Sequence, residues 1–188
     1  MRNSVPLVVI AALALLAGSA RAESDIKTLF TQGVTHTPSG YACFSRVYDA
    51  AHLKAHPRQY VAKIRLLAAL GGEKVEDYYL SLELDATFRN RKTPLMMEGS
   101  CGLAGGGPTH CGIACDGGEI EAALKDTGSI LLTLPPNPTM WPHNSAGKDV
   151  DNALGADDRV FRLGRAPLSA CRGLAIDDEG KAILKAAK

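Results

Sequence analysis

Residues 77–88 read Asp77-Tyr78-Tyr79-Leu80-Ser81-Leu82-Glu83-Leu84-Asp85-Ala86-Thr87-Phe88, and this stretch decides the fold class. The even positions are Tyr78, Leu80, Leu82, Leu84, Ala86 and Phe88. The odd ones are Asp77, Tyr79, Ser81, Glu83, Asp85 and Thr87, with only Tyr79 softening the alternation. A period of two sends successive side chains to opposite faces of a pleated strand. One face is then buried, and the other, with Glu83 and Asp85, is wet. A helix would scatter the same acids around its surface.

Upstream, residues 61–70 place Ile64, Leu66, Ala68 and Leu70 on one parity before Gly71-Gly72, which predicts a second strand. Residues 45–56 suit a short helix that Pro57 ends, because the residue before a proline is pushed out of the α region. Thr35-His36-Thr37-Pro38-Ser39-Gly40 is turn chemistry. Downstream, Asn90-Arg91-Lys92-Thr93-Pro94 is a polar turn before a strand over residues 95–101. The glycine-rich stretch 102–108 predicts a loop, and residues 109–115 a further strand. Asp116-Gly117 favours a tight hairpin turn returning through residues 119–124. Thr127-Gly128 turns the chain into residues 129–134, and residues 159–165 read as the last strand. Between them, residues 135–155 carry four prolines and the only tryptophan, Trp141. A loop of about 20 residues is usually functional or disordered. Residues 177–188 suit a terminal helix capped by Asp177 or Asp178, or a frayed tail.

Strands at short spacing joined by Gly/Pro turns, with no βαβ rhythm, predict a mainly β fold. The expected architecture is an antiparallel sandwich or small barrel with a short N-terminal helix and a C-terminal helix.

The N-terminus has the form of a secretory signal. One positive charge precedes an apolar run over residues 5–17, and Ala20-Arg21-Ala22 supplies a small-x-small cleavage pattern. The run is shorter than the ~20 residues a membrane span needs. The expected organisation is a cleaved signal peptide over residues 1–22, a leader over 23–40, a disulfide-containing β-rich domain over 41–173 and a tail or helix over 174–188. Removing residues 1–22, with two arginines and no acid, takes the formal charge from +1 to −1. That balance excludes a nucleic-acid or anionic-membrane partner of the kind that requires a basic patch. No membrane association is expected after signal cleavage, and the localisation expected is periplasmic or secreted.

All five cysteines, Cys43, Cys101, Cys111, Cys115 and Cys171, follow the signal segment. In an oxidising compartment they read first as disulfide partners, though spacing alone does not select the pairs. If residues 95–101 and 109–115 pair about Gly106, Cys101 lies opposite Cys111. A shifted register brings Cys115 to Cys101 instead. Cys43 and Cys171 flank the strand-rich region, and a bridge between them would clasp its ends. Cys115 is then left as a free thiol.

Candidate chemistry is sparse. His52 and His56 would share a helix face and a metal, but Leu53-Lys54-Ala55 between them lacks the acid of H-E-x-x-H, and two ligands are too few. His110 joins Cys111, Cys115 and Asp116 in a second cluster. At ~3.3 Å rise per strand residue, Cys111 and Cys115 would lie about 13 Å apart, too far to share a metal without a bulge. Cys-x-x-x-Cys is neither a haem-attachment nor a thioredoxin pattern. The glycine stretch lacks the Gly-Lys-Ser/Thr of a phosphate loop, and no dinucleotide fingerprint or G-x-S-x-G elbow occurs, so no cofactor is implied. Glu83 and Asp85 would be an acid/base pair only if their face meets a substrate, and a solvated strand face explains them more simply. Trp141, His143 and Tyr79, with Tyr78, are the residues suited to a ligand surface.

The function expected is therefore an exported, non-catalytic binding or inhibitory domain whose partner is an unknown ligand or envelope protein. The alternatives are a periplasmic metal-binding protein using His52, His56, His110, His143 or Cys115, and, last, an envelope-polymer hydrolase using Glu83 and Asp85. The sequence fixes neither the ligand nor the oligomeric state.

Overall fold

A computed structural model describes residues 40–71, 79–101, 109–113, 117–126, 128–143, 150–151 and 153–187. The expected signal segment, leader residues 23–39, Tyr78, the loop 102–108, Cys115 and Asp116 lie outside the described residues, as does the side chain of Tyr79.

The strands are β1 (Gly40–Val47), β2 (Val61–Gly71), β3 (Tyr79–Phe88), β4 (Leu95–Cys101), β5 (Thr109–Ile113), β6 (Glu119–Asp126), β7 (Ser129–Thr133), β8 (Trp141–Pro142) and β9 (Val160–Ala166). Helix α1 spans Ala50–Ala55 and α2 spans Asp178–Ala186, with a 3-10 turn at Leu168–Cys171. Strands β1 to β7 pair antiparallel in sequence order, and β9 pairs with both β7 and β1. Eight strands thus close into a barrel, which removes the exposed edges an open sheet would leave. The extra strand β8 pairs with Leu95 and Met96, the end of β4 that β5, joined at Gly99–Cys101, does not reach.

Register explains the layers. Phe44, Leu66, Leu84 and Met97 lie side by side across β1–β4 and point into the barrel. One residue along, Cys43, Leu67, Glu83 and Glu98 form the matching outer row. The register shifts between Val61 and Lys63, and so Val61 joins the interior against the parity of its strand. Inside, Phe44, Leu66, Leu84, Met97, Leu132, Phe161 and Leu163 are each at most 1% exposed. A void large enough for water would show as exposed area on its walls, so this level of the barrel is filled with side chains.

A second apolar layer lies outside. After β9 the chain turns back, and Cys171, Leu174, Ala175 and Leu184 bury against Tyr41, Cys43, Leu67 and Ala69 on the outer faces of β1 and β2. Helix α2 forms where the acids predict it: Asp177 caps it, accepting from the Gly180 N–H at 2.7 Å. Gly180 allows the close approach, since a Cβ there would fall 2.9 Å from the Ala175 Cβ and 3.0 Å from the Tyr41 hydroxyl. Disulfides join Cys43 to Cys171 and Cys101 to Cys111. Among the described residues, no helix is long and apolar enough to cross a membrane.

Several sequence expectations are corrected. The short helix read over residues 45–56 is only Ala50–Ala55, because β1 continues to Val47. Strand β1 hid from the reading because Tyr41 to Phe44 are buried on both faces, so no polar–apolar alternation marks it. The hairpin expected to turn at Asp116-Gly117 is described as far as Ile113 and Gly118, where the Ile113 N–H donates to the Gly118 carbonyl at 2.9 Å, and the turn at Asp116 lies outside the described residues. The described part of residues 135–155 is tied to the barrel. Met140 and Ala153 bury in the barrel core, and the Val150 N–H donates to the Met140 carbonyl at 2.7 Å.

The α1 end is held by Asp158, which is fully buried. Its carboxylate accepts from the N–H groups of Tyr60 at 2.7 Å, Gly155 at 2.8 Å and Val61 at 3.2 Å. Burial pushes this carboxyl above its ordinary range, and the backbone donors pull against that.

Candidate functional site

The turn between β3 and β4 exposes Arg91, Lys92 and Thr93. Beside it, Leu95, Pro142 and Val150 form the apolar wall of a groove of about 320 Å³. Strand β8 brings the proline there by pairing with β4, and the Met140–Val150 bridge brings the valine. The groove therefore has an apolar floor and a cationic rim, built from segments some 60 residues apart.

Of the residues read as a ligand surface, Trp141 lies next to this groove and is half-buried, packed against the barrel core. His143 follows, held by its N–H donating to the Pro94 carbonyl at 3.2 Å. Its imidazole faces the C-terminal segment, with Nε2 3.6 Å from where a Cβ on Gly173 would stand. Its Nδ1 is buried without a partner among the described residues. Tyr79 starts β3, whereas Trp141 pairs with Met96, whose other neighbour is Asp85. Six strand residues, about 20 Å at ~3.3 Å each, separate Tyr79 from that level. The three do not form one surface.

The histidines also part company. His52 and His56 stack face to face with ring centroids 4.4 Å apart, and Tyr48 stacks on His52 at 4.6 Å. Gln59 donates through Nε2 to the Val61 carbonyl, which turns its Oε1 toward His52 Nε2 at 2.9 Å. His52 therefore carries its proton on Nε2. His110 is exposed on β5 with Nδ1 3.4 Å from Glu119 Oε2. No group of three His, Cys, Asp or Glu side chains fit to hold a metal occurs among the described residues.

Glu83 and Asp85 require a correction: the face expected to be wet is covered. They are 2% and 4% exposed, because the C-terminal segment folds over this wall. Asp85 is held by Arg65, whose Nε donates to Oδ1 at 2.9 Å and whose Nη2 pairs with Oδ2. Arg65 Nη1 also donates to the carbonyls of Ala170 at 2.9 Å and Arg172 at 3.3 Å, tying the 3-10 turn to the barrel. Glu83 has no such cation. Its Oε2 is buried without a partner among the described residues, and Glu98 lies directly across the β3–β4 ladder. Burial above all, then the charges of Glu98 and Asp177, push its carboxyl up to about 7. Neither acid reaches an open surface, so the pair is not poised for acid/base work on a substrate.

Sequence reasoning missed Arg65, Glu98 and Asp158. Counting back through the hairpin turn at residues 89–94 would have placed Glu98 opposite Glu83. Nothing local marks Asp158, whose partners Tyr60 and Val61 are nearly a hundred positions away. The chain matches no protein-family model, and comparison with curated proteins and with solved structures finds no match.

Proposed function

We propose that the protein is an exported, non-catalytic binding module that takes an acidic segment of a partner molecule, carrying an apolar group, into the groove at the β3–β4 turn. The observation that carries this reading is the filled barrel. With Phe44, Leu84, Met97 and Phe161 inaccessible, the described residues leave no room for a ligand at this level of the interior, which favours recognition on the outside. The buried charged groups point the same way: Asp158 secures backbone, Arg65 and Asp85 secure the C-terminal segment, and Glu83 is covered. The groove offers what a binding site needs, an apolar floor with a few polar groups to orient the ligand. Arg91 and Lys92 favour an anionic group, and Leu95, Pro142 and Val150 an apolar one. The two disulfides agree with an oxidising destination, as the expected signal segment does.

The test is amide chemical-shift mapping with acetylated peptides that alternate Glu or Asp with Leu or Phe. Shifts should centre on residues 91–95, 141–142 and 150, and vanish in Arg91→Glu/Lys92→Glu. Shifts that ignore this face, or none at millimolar peptide, would remove the reading.

A further inference from the structure

Residues 174–187 lie on the barrel wall as a flap with a fixed end and a weak point. The fixed end is Cys171, bonded to Cys43 on β1 and buried. Two residues after it, Gly173 adopts φ +85°, a conformation that only glycine takes freely. Arg172, on the fixed side of that bend, reaches across it to hold the flap down: its Nε donates to the Leu184 carbonyl at 3.1 Å, and its Nη2 to that of Ala187. Its underside, Leu174, Ala175 and Leu184, covers Tyr41, Leu67 and Ala69.

The weak point is Glu83. It is buried in the outer row beside Leu67, one oxygen lacks a partner among the described residues, and the groups that face it are acids. Glu98 comes from β4 and Asp177 from the flap, where Asp178 and Glu179 follow in the first turn of α2. On β2 and β3, the nearest charges, Arg65 and Asp85, are already paired. On β1, Tyr41 adds only a phenol, near Gly180. Arg172 is occupied at the far end of the helix, and His143 stands at the bend, by Gly173. Lys181 on α2 pairs with Asp178, and no described cation partners Glu83, so among the described residues a carboxylate there would be desolvated and repelled by Glu98 and Asp177.

We propose that residues 174–187 form a proton-latched lid: it lies flat while Glu83 is neutral, and when Glu83 ionises it lifts about Gly173, releasing its carbonyls from Arg172 and uncovering Tyr41, Leu67 and Ala69 while Cys171 stays bonded to Cys43. The lid responds in the neutral range because the buried carboxyl holds its proton up to about 7, whereas in the lifted state, exposed to water, it returns to an ordinary value. The uncovered patch is apolar and adjoins a disulfide, and raising the pH through neutrality makes it available.

Hydrogen–deuterium exchange of the intact, disulfide-bonded chain between pH 5.5 and 8.5, corrected for intrinsic rates, tests this. The opening equilibrium of residues 174–187 should rise about tenfold from pH 6 to pH 8, with barrel strands unchanged. Glu83→Gln should flatten the profile. Glu98→Gln should move the rise to lower pH, because it removes one of the charges that hold the proton on Glu83. His143→Gln should leave the profile where it is. A flat wild-type profile, or a rise that survives Glu83→Gln, overturns the proposal. If Glu83→Gln does not fold, an unshifted profile in Glu98→Gln overturns it equally.

Discussion

The interior of the barrel and the seam between its wall and the C-terminal segment are both buried, yet they bury different things. The interior collects Leu, Ile, Phe, Met and Ala from the eight closing strands together with the Cys101–Cys111 bridge, and the guanidinium of half-buried Arg165 lies 5.1 Å from the Phe44 ring. The seam shares some of the same strands but buries an ion pair, an unpaired carboxyl and a disulfide beside a few aliphatic groups. A closed barrel excludes water from its centre, and a charge there would have nothing to pair with. A wall covered by one flap can hold charges, because the flap brings carbonyls and acids of its own. The interior therefore sets stability, and the seam makes stability conditional.

Each region has one disulfide, and removing them gives the sharpest contrast. The Cys43–Cys171 bridge spans 128 positions, and loop entropy assigns it about 5 kcal/mol. Cys101–Cys111 spans 10, for about 3 kcal/mol. Denaturant unfolding of Cys43→Ser/Cys171→Ser should show the larger loss and a detached C-terminal segment. Equal losses would mean that the seam does not depend on its clasp.

Side-chain truncation comes next. Leu84 and Leu67 are both fully buried, on the inner and outer rows of adjoining strands. Leu84→Ala should cost about 3 kcal/mol, because rigid walls on all sides leave its cavity open. Leu67→Ala should cost nearer 2 kcal/mol, since the flap above it settles into the gap. A larger loss at Leu67 would reverse the ranking of the two regions.

The pH dependence is the most gradual effect, small at each step of pH. In the folded chain Glu83 holds its proton to about 7, against 4.5 for an ordinary glutamate, so between those values the folded state binds more protons than the unfolded one. Stability contributed by this group falls as pH rises from about 4.5 through 7, with a slope of at most ~1.4 kcal/mol per pH unit. Thermal unfolding across that range should show the fall in wild type and lose it in Glu83→Gln. A wild-type curve that climbs over this window would show that the folded chain does not keep a proton on Glu83.

Much of the fold was legible where polar and apolar residues alternate in the sequence. Strands β3 and β4 and the Asp177 cap announced themselves through alternation and capping, local properties of the chain. Strand β1 did not, because Tyr41 to Phe44 carry no polar–apolar alternation, and β8 did not, because two residues carry no period. The candidate groove was half legible: Trp141 and His143 pointed to the region, but Arg91, Lys92 and Val150 join it only through pairings distant in sequence.

By itself, then, the sequence determined the β-rich class and most strand positions, because each follows from neighbouring residues, and it narrowed the partner of Cys101 to Cys111 or Cys115, which the register of the structure resolves as Cys111. Tertiary structure alone decided that the strands close on themselves, that Glu83 and Asp85 lie under cover, and that one has a cation while the other has an acid beside it. Those outcomes depend on where β9 and the C-terminal segment return to meet β1, and burial depends on what the rest of the chain places above a residue.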